Sequence, residues 1–268
     1  MNESSIEVKE LQVSYDDRVI IPKMNLEIPK GQITMIIGSN GCGKSTLLKT
    51  ISRIITPKKG EVLINGASIK SQAPKEIAKK MAVLPQSPTV PSGLLVKELV
   101  SYGRFPYQSA MGGMKEQDLE KIDWAMKSTG IYEFKDRLVE SLSGGQRQRA
   151  WIAMALAQET EILILDEPTT YLDMAHQLEI LSLLKKLNEE NNTTIVMVIH
   201  ELNNATKFAN NIIGMKNGKV VFQGKPKDVI TKENLKIIYE IDATLQMNET
   251  NEFPICIDYE SLKEKHEE

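Results

Sequence analysis

A glycine-rich segment near the start of the chain has the residue types and the spacing that hold phosphate groups. Residues 38–45 fit the pattern G-x-x-x-x-G-K-[ST]. Glycines let a backbone wrap closely around an anion, so that successive N–H groups point at its oxygens. The segment consists of Gly38, Ser39, Asn40, Gly41, Cys42, Gly43, Lys44 and Ser45. A glycine-rich turn that binds nothing is the alternative interpretation.

The end of this segment carries most of its chemistry. Lys44 would neutralise the β- and γ-phosphates of a nucleotide, the Ser45 hydroxyl would bind Mg²⁺, and Thr46 would add a further hydroxyl. A β-rich apolar run precedes the loop and a helical pattern follows it, which is the order that the motif requires. Because bound phosphates would disfavour the thiolate of Cys42, we expect that residue to be simply a small member of the loop.

Two neighbouring acids form the second chemically suggestive feature. Asp166 and Glu167 directly follow the apolar run at 161–165. Acids at the C-terminal end of a buried parallel strand lie where open α/β sheets bind ligands. Asp166 would hold Mg²⁺, and Glu167 would orient and deprotonate an attacking water. A solvated strand end without a catalytic role is the alternative.

The elements that must position these residues alternate between apolar runs and helical periodicity, which predicts an α/β fold with a largely parallel sheet. We predict strands at 6–13, 33–37, 61–64, 81–84, 161–165, 194–199, 244–247 and 253–257. We predict helices at 44–54, 74–80, 115–127, 145–157 and 174–190, with two short helices at the start of the last forty residues.

The predicted domain organisation is a single domain over 1–268. Prolines and glycines interrupt the pattern between 88 and 142, so we expect a mostly helical insertion there. The segments 1–87 and 143–225 would form the α/β core, with an antiparallel β portion near the N-terminus. Residues 226–268 would be a C-terminal extension whose last six residues form a solvated tail.

Composition excludes several classes of protein. The 33 basic and 36 acidic residues are too evenly balanced to predict nucleic-acid binding. Two cysteines and three histidines suggest neither a disulfide framework nor a zinc site. No apolar stretch approaches the ~18 residues of a membrane span, and no signal peptide is recognisable at the N-terminus. We therefore expect membrane association only through a partner.

A third motif indicates which class of phosphate-binding protein the sequence resembles. It stands before the helix predicted at 145–157 and consists of Leu142, Ser143, Gly144, Gly145 and Gln146. It resembles the signature motif of ABC-type ATPases, and the family's other motifs follow in order along essentially the whole chain. The resemblance implies a P-loop ABC-type ATPase core with a helical insertion subdomain, ATP and Mg²⁺ as cofactors, and a head-to-tail homodimer with two composite nucleotide sites.

The same resemblance assigns roles to isolated residues that alone would more often be structural. Tyr15 matches the aromatic residue that stacks on adenine. Gln86 matches a glutamine that contacts Mg²⁺ and the attacking water, and His200 matches the switch histidine beside the γ-phosphate. Asp173 belongs to the D-loop at 170–173. Ser143, Gly144, Gly145 and Gln146 would face the γ-phosphate held by the partner subunit.

Three positions depart from the commonest family patterns. Ser39 replaces a frequent proline, Tyr171 stands where a small residue is common, and Glu201 follows His200 where aspartate is frequent. These differences put the geometry of the D-loop in some doubt and leave the catalytic assignment intact.

Other segments resemble one branch of the family. Residues 101–107 contain a G-R-x-P segment similar to those of ATPases that serve iron–siderophore, haem and cobalamin importers, and 172–179 and 200–203 are similar to the same branch. The resemblance implies import of a ferric siderophore of the hydroxamate type, with haem or cobalamin as alternatives. The implied partners are membrane permease subunits and, indirectly, an extracytoplasmic binding protein. The implied location is peripheral, at the cytoplasmic face of the cell membrane.

Rival functions remain open to different degrees. ATPases of DNA repair or chromosome organisation carry a long coiled coil between the first and third motifs, whereas only 142 − 44 = 98 residues separate Lys44 from Leu142 here. Translation factors of this type usually carry two ATPase units. A non-hydrolysing module would often lack the carboxylate at Glu167. An exporter remains an alternative, although exporter ATPases are often fused to a membrane domain.

Overall fold

The computed structural model describes residues 3–86, 88–89, 91–108 and 113–262. The chain divides into two compact units. The first comprises Met1–Ser71 and Thr194–Glu268, and the second comprises Gln72–Thr193. The glutamine, acidic-pair and signature motifs therefore lie in the second unit, and the phosphate loop lies in the first.

The strands of the described residues are β1 (Ser4–Tyr15), β2 (Arg18–Pro29), β3 (Ile33–Gly38), β4 (Lys59–Ile64), β5 (Ala67–Ser68), β6 (Met81–Leu84), β7 (Ile162–Asp166), β8 (Thr194–Val198), β9 (Asn211–Lys216), β10 (Lys219–Gly224), β11 (Ile241–Met247) and β12 (Pro254–Ser261). The α-helices are α1 (Lys44–Ile51), α2 (Pro74–Ala78), α3 (Val96–Ser101), α4 (Glu116–Ser128), α5 (Gly144–Ala157), α6 (Met174–Asn191), α7 (Leu202–Phe208), α8 (Pro226–Val229) and α9 (Lys232–Tyr239). Short 3₁₀ helices occupy Tyr102–Tyr107, Tyr132–Phe134 and Val139–Ser141.

The first unit contains an antiparallel sheet of order β2-β1-β4-β5, which confirms the antiparallel portion predicted near the N-terminus. Strand β1 keeps its apolar residues on one face despite an irregular register. Glu10 has a left-handed backbone, and the pairing shifts between Val8 and Leu11. This bulge inserts one residue, so that Val8 and Leu11 are both buried although they are three positions apart.

The first unit also contains the strands that carry the phosphate loop, in the order β10-β9-β3-β8. Strand β3 is parallel to both of its neighbours, and all of its residues are buried. A strand covered in this way reads as a continuous apolar run, which is why the sequence predicted it well. The parallel strands between helices confirm the predicted α/β class.

The second unit contains the parallel pair β6 and β7, together with helices α2 to α6. Every described element between residues 88 and 142 is helical, as expected for the insertion. The proposed division into a core, a helical subdomain and a C-terminal extension stays a prediction. None of the described helices is long and apolar enough to cross a membrane.

The structure corrects some element boundaries. Helix α1 ends at Ile51 rather than near 54, because Arg53 adopts a left-handed backbone conformation. The sequence analysis made no prediction for β2, β9, β10 or α7. The two short C-terminal helices and the two strands after them are confirmed, although both strands are longer than expected. The predicted solvated tail lies outside the described residues.

The G-R-x-P segment forms a structural anchor inside the second unit. Gly103 lies so close to α5 that an added Cβ would come within 2.2 Å of the Met154 carbonyl oxygen. The guanidinium of Arg104 is buried, and it donates to Asp118 Oδ1 at 2.9 Å and to the Ala157 carbonyl at 2.7 Å. The segment therefore ties α4 to the end of α5.

The carboxylate of Asp118 is stabilised by a second donor besides the guanidinium. The backbone N–H of Lys115 donates to Asp118 Oδ2 at 3.0 Å. This bond, followed by the contacts with Arg104, holds the pKa of Asp118 below its ordinary value. The buried pair is thus charged and well bonded at neutral pH.

Replacing Arg104 by methionine should lower the free energy of unfolding by about 3 kcal/mol, because Asp118 would remain buried without its charged partner. Urea unfolding would measure the change. The exposed pair between Lys97 and Asp136, 2.7 Å apart, offers a matched control. Lys97→Met should cost less than about 1 kcal/mol, and an equal cost for the two variants would contradict the structural role of Arg104.

Candidate functional site

The phosphate loop leaves the end of β3 in a conformation that its glycines make accessible. Gly38 has φ +146°, and a Cβ there would come within 2.2 Å of the Met215 carbonyl oxygen. Gly43 has φ +105° and caps the N-terminus of α1. The loop thus turns directly into a helix, and the N-terminus of a helix favours an anion.

The side chain of Lys44 lies inside this loop and is only 5% exposed. Its Nζ donates to the carbonyl oxygens of Gly38 at 2.8 Å and of Ser39 at 3.0 Å. Both of these partners are neutral. A buried ammonium group favours an anionic partner, so the loop has the electrostatic character of a phosphate site.

The turn between β9 and β10 supports the loop from the side. The N–H of Gly218 donates to the Cys42 carbonyl at 2.8 Å, and the α-carbon of Gly218 lies next to Gly43. Burial raises the pKa of the Cys42 thiol, although the nearby Lys44 acts in the opposite direction. Cys42 is therefore a neutral, buried loop residue, as the sequence predicted.

The remaining loop residues differ in exposure. Asn40 and Gly41 are exposed, Ser39 and Ser45 are half-buried, and Thr46 is buried in the first turn of α1. The structure thus places the predicted loop residues on a segment that runs from the last residue of β3 into the first turn of α1.

Tyr15 lies at the end of β1, where it pairs with Arg18 across the β1–β2 turn, and its side chain is 44% exposed. The second strand of this hairpin contacts the phosphate loop, since Ile20 and Ile21 pack beside Gly43. Tyr15 is thus an accessible aromatic residue on a hairpin that touches the loop.

His200 follows β8, which runs parallel to β3 with Ile36 opposite Val198. The N–H of Ile199 also donates to the Ile36 carbonyl at 3.3 Å. The carboxyl ends of parallel neighbours meet at one edge of a sheet. His200, which is exposed, therefore lies at the same edge as the phosphate loop.

In the second unit, the predicted glutamine and glutamate contact each other. Gln86 follows β6 and Glu167 follows β7, which is parallel to β6. Gln86 Nε2 donates to Glu167 Oε2 at 2.5 Å, and the Thr170 hydroxyl donates to the same oxygen at 3.0 Å. Glu167 adopts a left-handed backbone with φ 54°, while its neighbour Asp166 is buried. The two donors orient the glutamate carboxylate, a contact that the sequence analysis did not predict.

The signature motif forms the N-terminus of α5. The Ser143 hydroxyl accepts from the Gln146 N–H at 3.3 Å, and Gln146 Oε1 accepts from the Ser143 N–H at 3.1 Å. This reciprocal capping box orders the first turn, while Ser143 and Gly144 stay exposed. The arrangement presents a hydroxyl and the N-terminus of a fourteen-residue helix to the surface.

The D-loop contacts this motif through His176. Asp173 caps α6 by accepting from the His176 N–H at 2.9 Å, and its Oδ1 lies 2.8 Å from His176 Nδ1. The backbone bond first, and then the ring contact, lower the pKa of Asp173. A Cβ on Gly145 would come within 2.6 Å of the His176 ring, so only glycine fits there without a shift.

These groups fit a magnesium nucleotide chemically. The phosphate loop offers a buried ammonium, a hydroxyl at Ser45 and a helix N-terminus, which suit phosphate oxygens. Hydroxyl and carboxylate oxygens, as on Ser45 and Asp166, are the ligands that Mg²⁺ accepts, usually alongside waters and phosphates. The described residues contain no group of three or more His, Cys, Asp and Glu side chains that could hold a metal by itself.

Comparison with known proteins identifies the family. A family model described as "ABC transporter" matches residues 21–170, which is more than half of the chain. The chain belongs to the ABC transporter family. It has the fold of an ABC-type ATPase, as the resemblance implied.

Three similar proteins of the ABC transporter family are each covered over at least 93% of their own length. The iron(3+)-hydroxamate import ATP-binding protein FhuC of Bacillus subtilis is 52% identical, over 98% of each chain. The petrobactin import ATP-binding protein FpuD of Bacillus anthracis is 48% identical, over 95% of this chain and 93% of its own. Among solved structures, the dimeric MJ0796, a bacterial ABC transporter cassette, is 33% identical with a TM-score of 0.73, over 82% of this ABC ATPase and 98% of that chain.

Sequence reasoning missed several residues that shape this ABC ATPase site. The dipeptide at 217–218 is a common turn signal, and it could have predicted the β9–β10 hairpin that supports the phosphate loop. The hydroxyl of Thr170 and the ring of His176 belong to motifs that were recognised, but their partners depend on tertiary packing. Tyr239, whose hydroxyl accepts from the Gly38 N–H at 3.2 Å, has no local sequence signal.

Gly145→Ala should cost about 1–3 kcal/mol of stability, because the new methyl group would press against the His176 ring. The same substitution in a His176→Ala background should cost much less, since the space would then be open. Urea unfolding of the two single variants and the double variant would measure this coupling. An equal cost in both backgrounds would contradict the contact.

Proposed function

We propose that this chain is the ATP-hydrolysing subunit of an ABC importer and that it powers uptake of ferric siderophores. The observation that carries the proposal is the phosphate loop, in which the buried Lys44 ammonium lies at the start of a helix beside neutral carbonyl groups. The nature of the cargo rests on similarity to relatives. The proposed location is peripheral, at the cytoplasmic face of the cell membrane, without nucleic acid as a partner.

Nucleotide binding would use the first unit. Lys44 transfers its hydrogen bonds from the carbonyl groups to the β- and γ-phosphate oxygens of ATP, and backbone N–H groups of the loop and of the first turn of α1 surround the phosphates. The exposed ring of Tyr15 stacks on adenine. Ser45, Gln86 and Asp166 would hold Mg²⁺, which would supply positive charge to offset the charge that develops on the phosphate oxygens.

Hydrolysis would depend on Glu167 as general base. Its carboxylate accepts a proton from the water that attacks the γ-phosphorus, while the bond to the leaving ADP oxygen breaks. The donors on Gln86 and Thr170 orient this carboxylate. His200 contacts the γ-phosphate and helps position the water, which keeps the attack in line with the leaving group.

Coupling to transport would come from a homodimer. Ser143, Gly144, Gly145 and Gln146 of one subunit cover the γ-phosphate bound by the other, and Asp173 belongs to the same interface. The exposed cap of α5 suits this role, since a helix N-terminus and a hydroxyl both favour an anion. Hydrolysis removes the shared phosphate contact, so the subunits separate and the attached permease changes conformation.

The cargo proposal is a ferric siderophore of the hydroxamate type, received by the permease from an extracytoplasmic binding protein. The similarity to a hydroxamate import protein at 52% identity supports it. The relative at 48% identity is named for import of petrobactin, so a chain of similar sequence is named for a different cargo. The cargo does not contact this subunit, so no residue of the chain is assigned to siderophore binding.

Uptake of radioactive iron bound to a hydroxamate siderophore tests the proposal in cells that lack this chain. Complementation with the wild type should restore uptake, whereas Glu167→Gln should leave it about 100-fold lower, because the amide cannot act as general base. Glu161→Gln provides a matched control, since Glu161 is exposed and directly precedes β7, whereas Glu167 directly follows it.

Full uptake with Glu167→Gln would contradict the catalytic assignment. Wild-type complementation that restored uptake of haem or cobalamin, and not of the ferric hydroxamate, would contradict the cargo and leave the ATPase intact.

A further inference from the structure

The C-terminal segment from α9 to β12 is part of the first unit and contacts the rest of that unit at two points close to residues with proposed functions. Helix α9 packs on β9, β10 and β11, and its residues Leu235 and Ile238 are buried. Strands β11 and β12 form a hairpin, and β12 packs on α7. Through these contacts the C-terminal segment reaches two segments with proposed roles in ATP hydrolysis. These are the phosphate loop and the segment that follows His200.

The first contact joins α9 to the phosphate loop. Tyr239, the last residue of α9, accepts a hydrogen bond on its hydroxyl from the Gly38 N–H at 3.2 Å. The carbonyl of that same Gly38 accepts from Lys44 Nζ at 2.8 Å. A chain of two hydrogen bonds through one glycine therefore connects α9 with the phosphate-binding lysine.

The environment of Tyr239 keeps this contact neutral and fixed. Burial of the hydroxyl raises the pKa of Tyr239 to about 12, so the phenol stays protonated in the physiological range. The next residue, Glu240, forms an ion pair with Lys216 at 2.8 Å. Lys216 follows Met215, the residue whose carbonyl oxygen limits the space at Gly38. The end of α9 is thus attached to the strand that borders the loop.

The second contact joins β12 to the segment that follows the switch histidine. Asn203, in the first turn of α7, donates through Nδ2 to the Cys256 carbonyl at 3.0 Å. Its Oδ1 accepts from the Cys256 N–H at 2.8 Å. The Asn203 side chain thus bonds both the N–H and the carbonyl of Cys256, as a neighbouring strand would. Asn203 lies three positions after His200, so the hairpin holds the beginning of α7 in place.

We infer that Tyr239 and Asn203 are positioning residues through which the C-terminal segment holds the phosphate loop and the switch-histidine segment of the ATPase. The inference rests on the proposed function and adds a role for α9–β12 within it. Tyr239 acts on nucleotide affinity, since it fixes the amide of Gly38. Asn203 acts on turnover, since it fixes the segment after His200.

The test compares Tyr239→Phe, Asn203→Ala and the control Tyr259→Phe in the full chain. Tyr259 lies on β12 in the same segment, but the residue is 67% exposed. Calorimetric titration with ATP gives Kd, steady-state hydrolysis gives kcat, and thermal unfolding without nucleotide gives Tm. Tyr239→Phe should raise Kd about three- to tenfold, as expected for one lost hydrogen bond.

Asn203→Ala should lower kcat about three- to tenfold while Kd stays within about twofold of the wild type. Tyr259→Phe should change neither constant. A normal Kd in Tyr239→Phe together with a normal kcat in Asn203→Ala would overturn the inference even if Tm fell, because the segment would then only stabilise the fold. Failure of the wild type to bind ATP would overturn the proposed function and this inference with it.

Discussion

The rest of the site depends on the interaction between the buried ammonium group of Lys44 and the oxygens around it. A charge with 5% exposure needs oxygens around it, and the structure supplies two carbonyl groups of the same loop at 2.8 and 3.0 Å. The loop that carries those carbonyls includes Gly38 and Gly43, which adopt backbone conformations that other residues rarely take. Side chains at Gly38 or Gly218 would clash with the surrounding elements, because these pack closely. The surrounding elements are β3, the β9–β10 turn and β2.

Two kinds of support hold the functional groups in the two units. Backbone bonds place the loops, as between Gly218 and Cys42 in the first unit. Side-chain bonds orient the reactive groups, as where Gln86 and Thr170 hold the Glu167 carboxylate in the second unit. Helix caps combine both kinds of support, because a side chain there bonds to the backbone at the start of a helix. Ser143 and Asp173 each order the start of a helix, and the D-loop reaches the signature motif through His176.

The sequence predicted the strands that are buried on both faces, such as β3 and β8, because their apolar runs are continuous. It also predicted the phosphate loop, whose glycines are required by local backbone geometry. It did not predict β2 or β10, in which exposed residues interrupt the apolar run and, in β10, no residue is fully buried. The partners of Gln86, His176 and Tyr239 were also missed, since each contact joins residues brought together only by tertiary structure. The Gly38–Tyr239 bond spans 201 positions, beyond any local pattern.

Calorimetric titration of the wild type, Lys44→Ala and Lys49→Ala with MgATP would test the central role of Lys44 most directly. Lys49 lies on the same helix but is exposed, so Lys49→Ala removes the same charge away from the loop interior. The account predicts that Lys44→Ala weakens ATP binding on the order of 10- to 100-fold, through the loss of charge-assisted hydrogen bonds, while Lys49→Ala binds like the wild type. Wild-type affinity in a folded Lys44→Ala variant would contradict the assignment of this loop as the phosphate site.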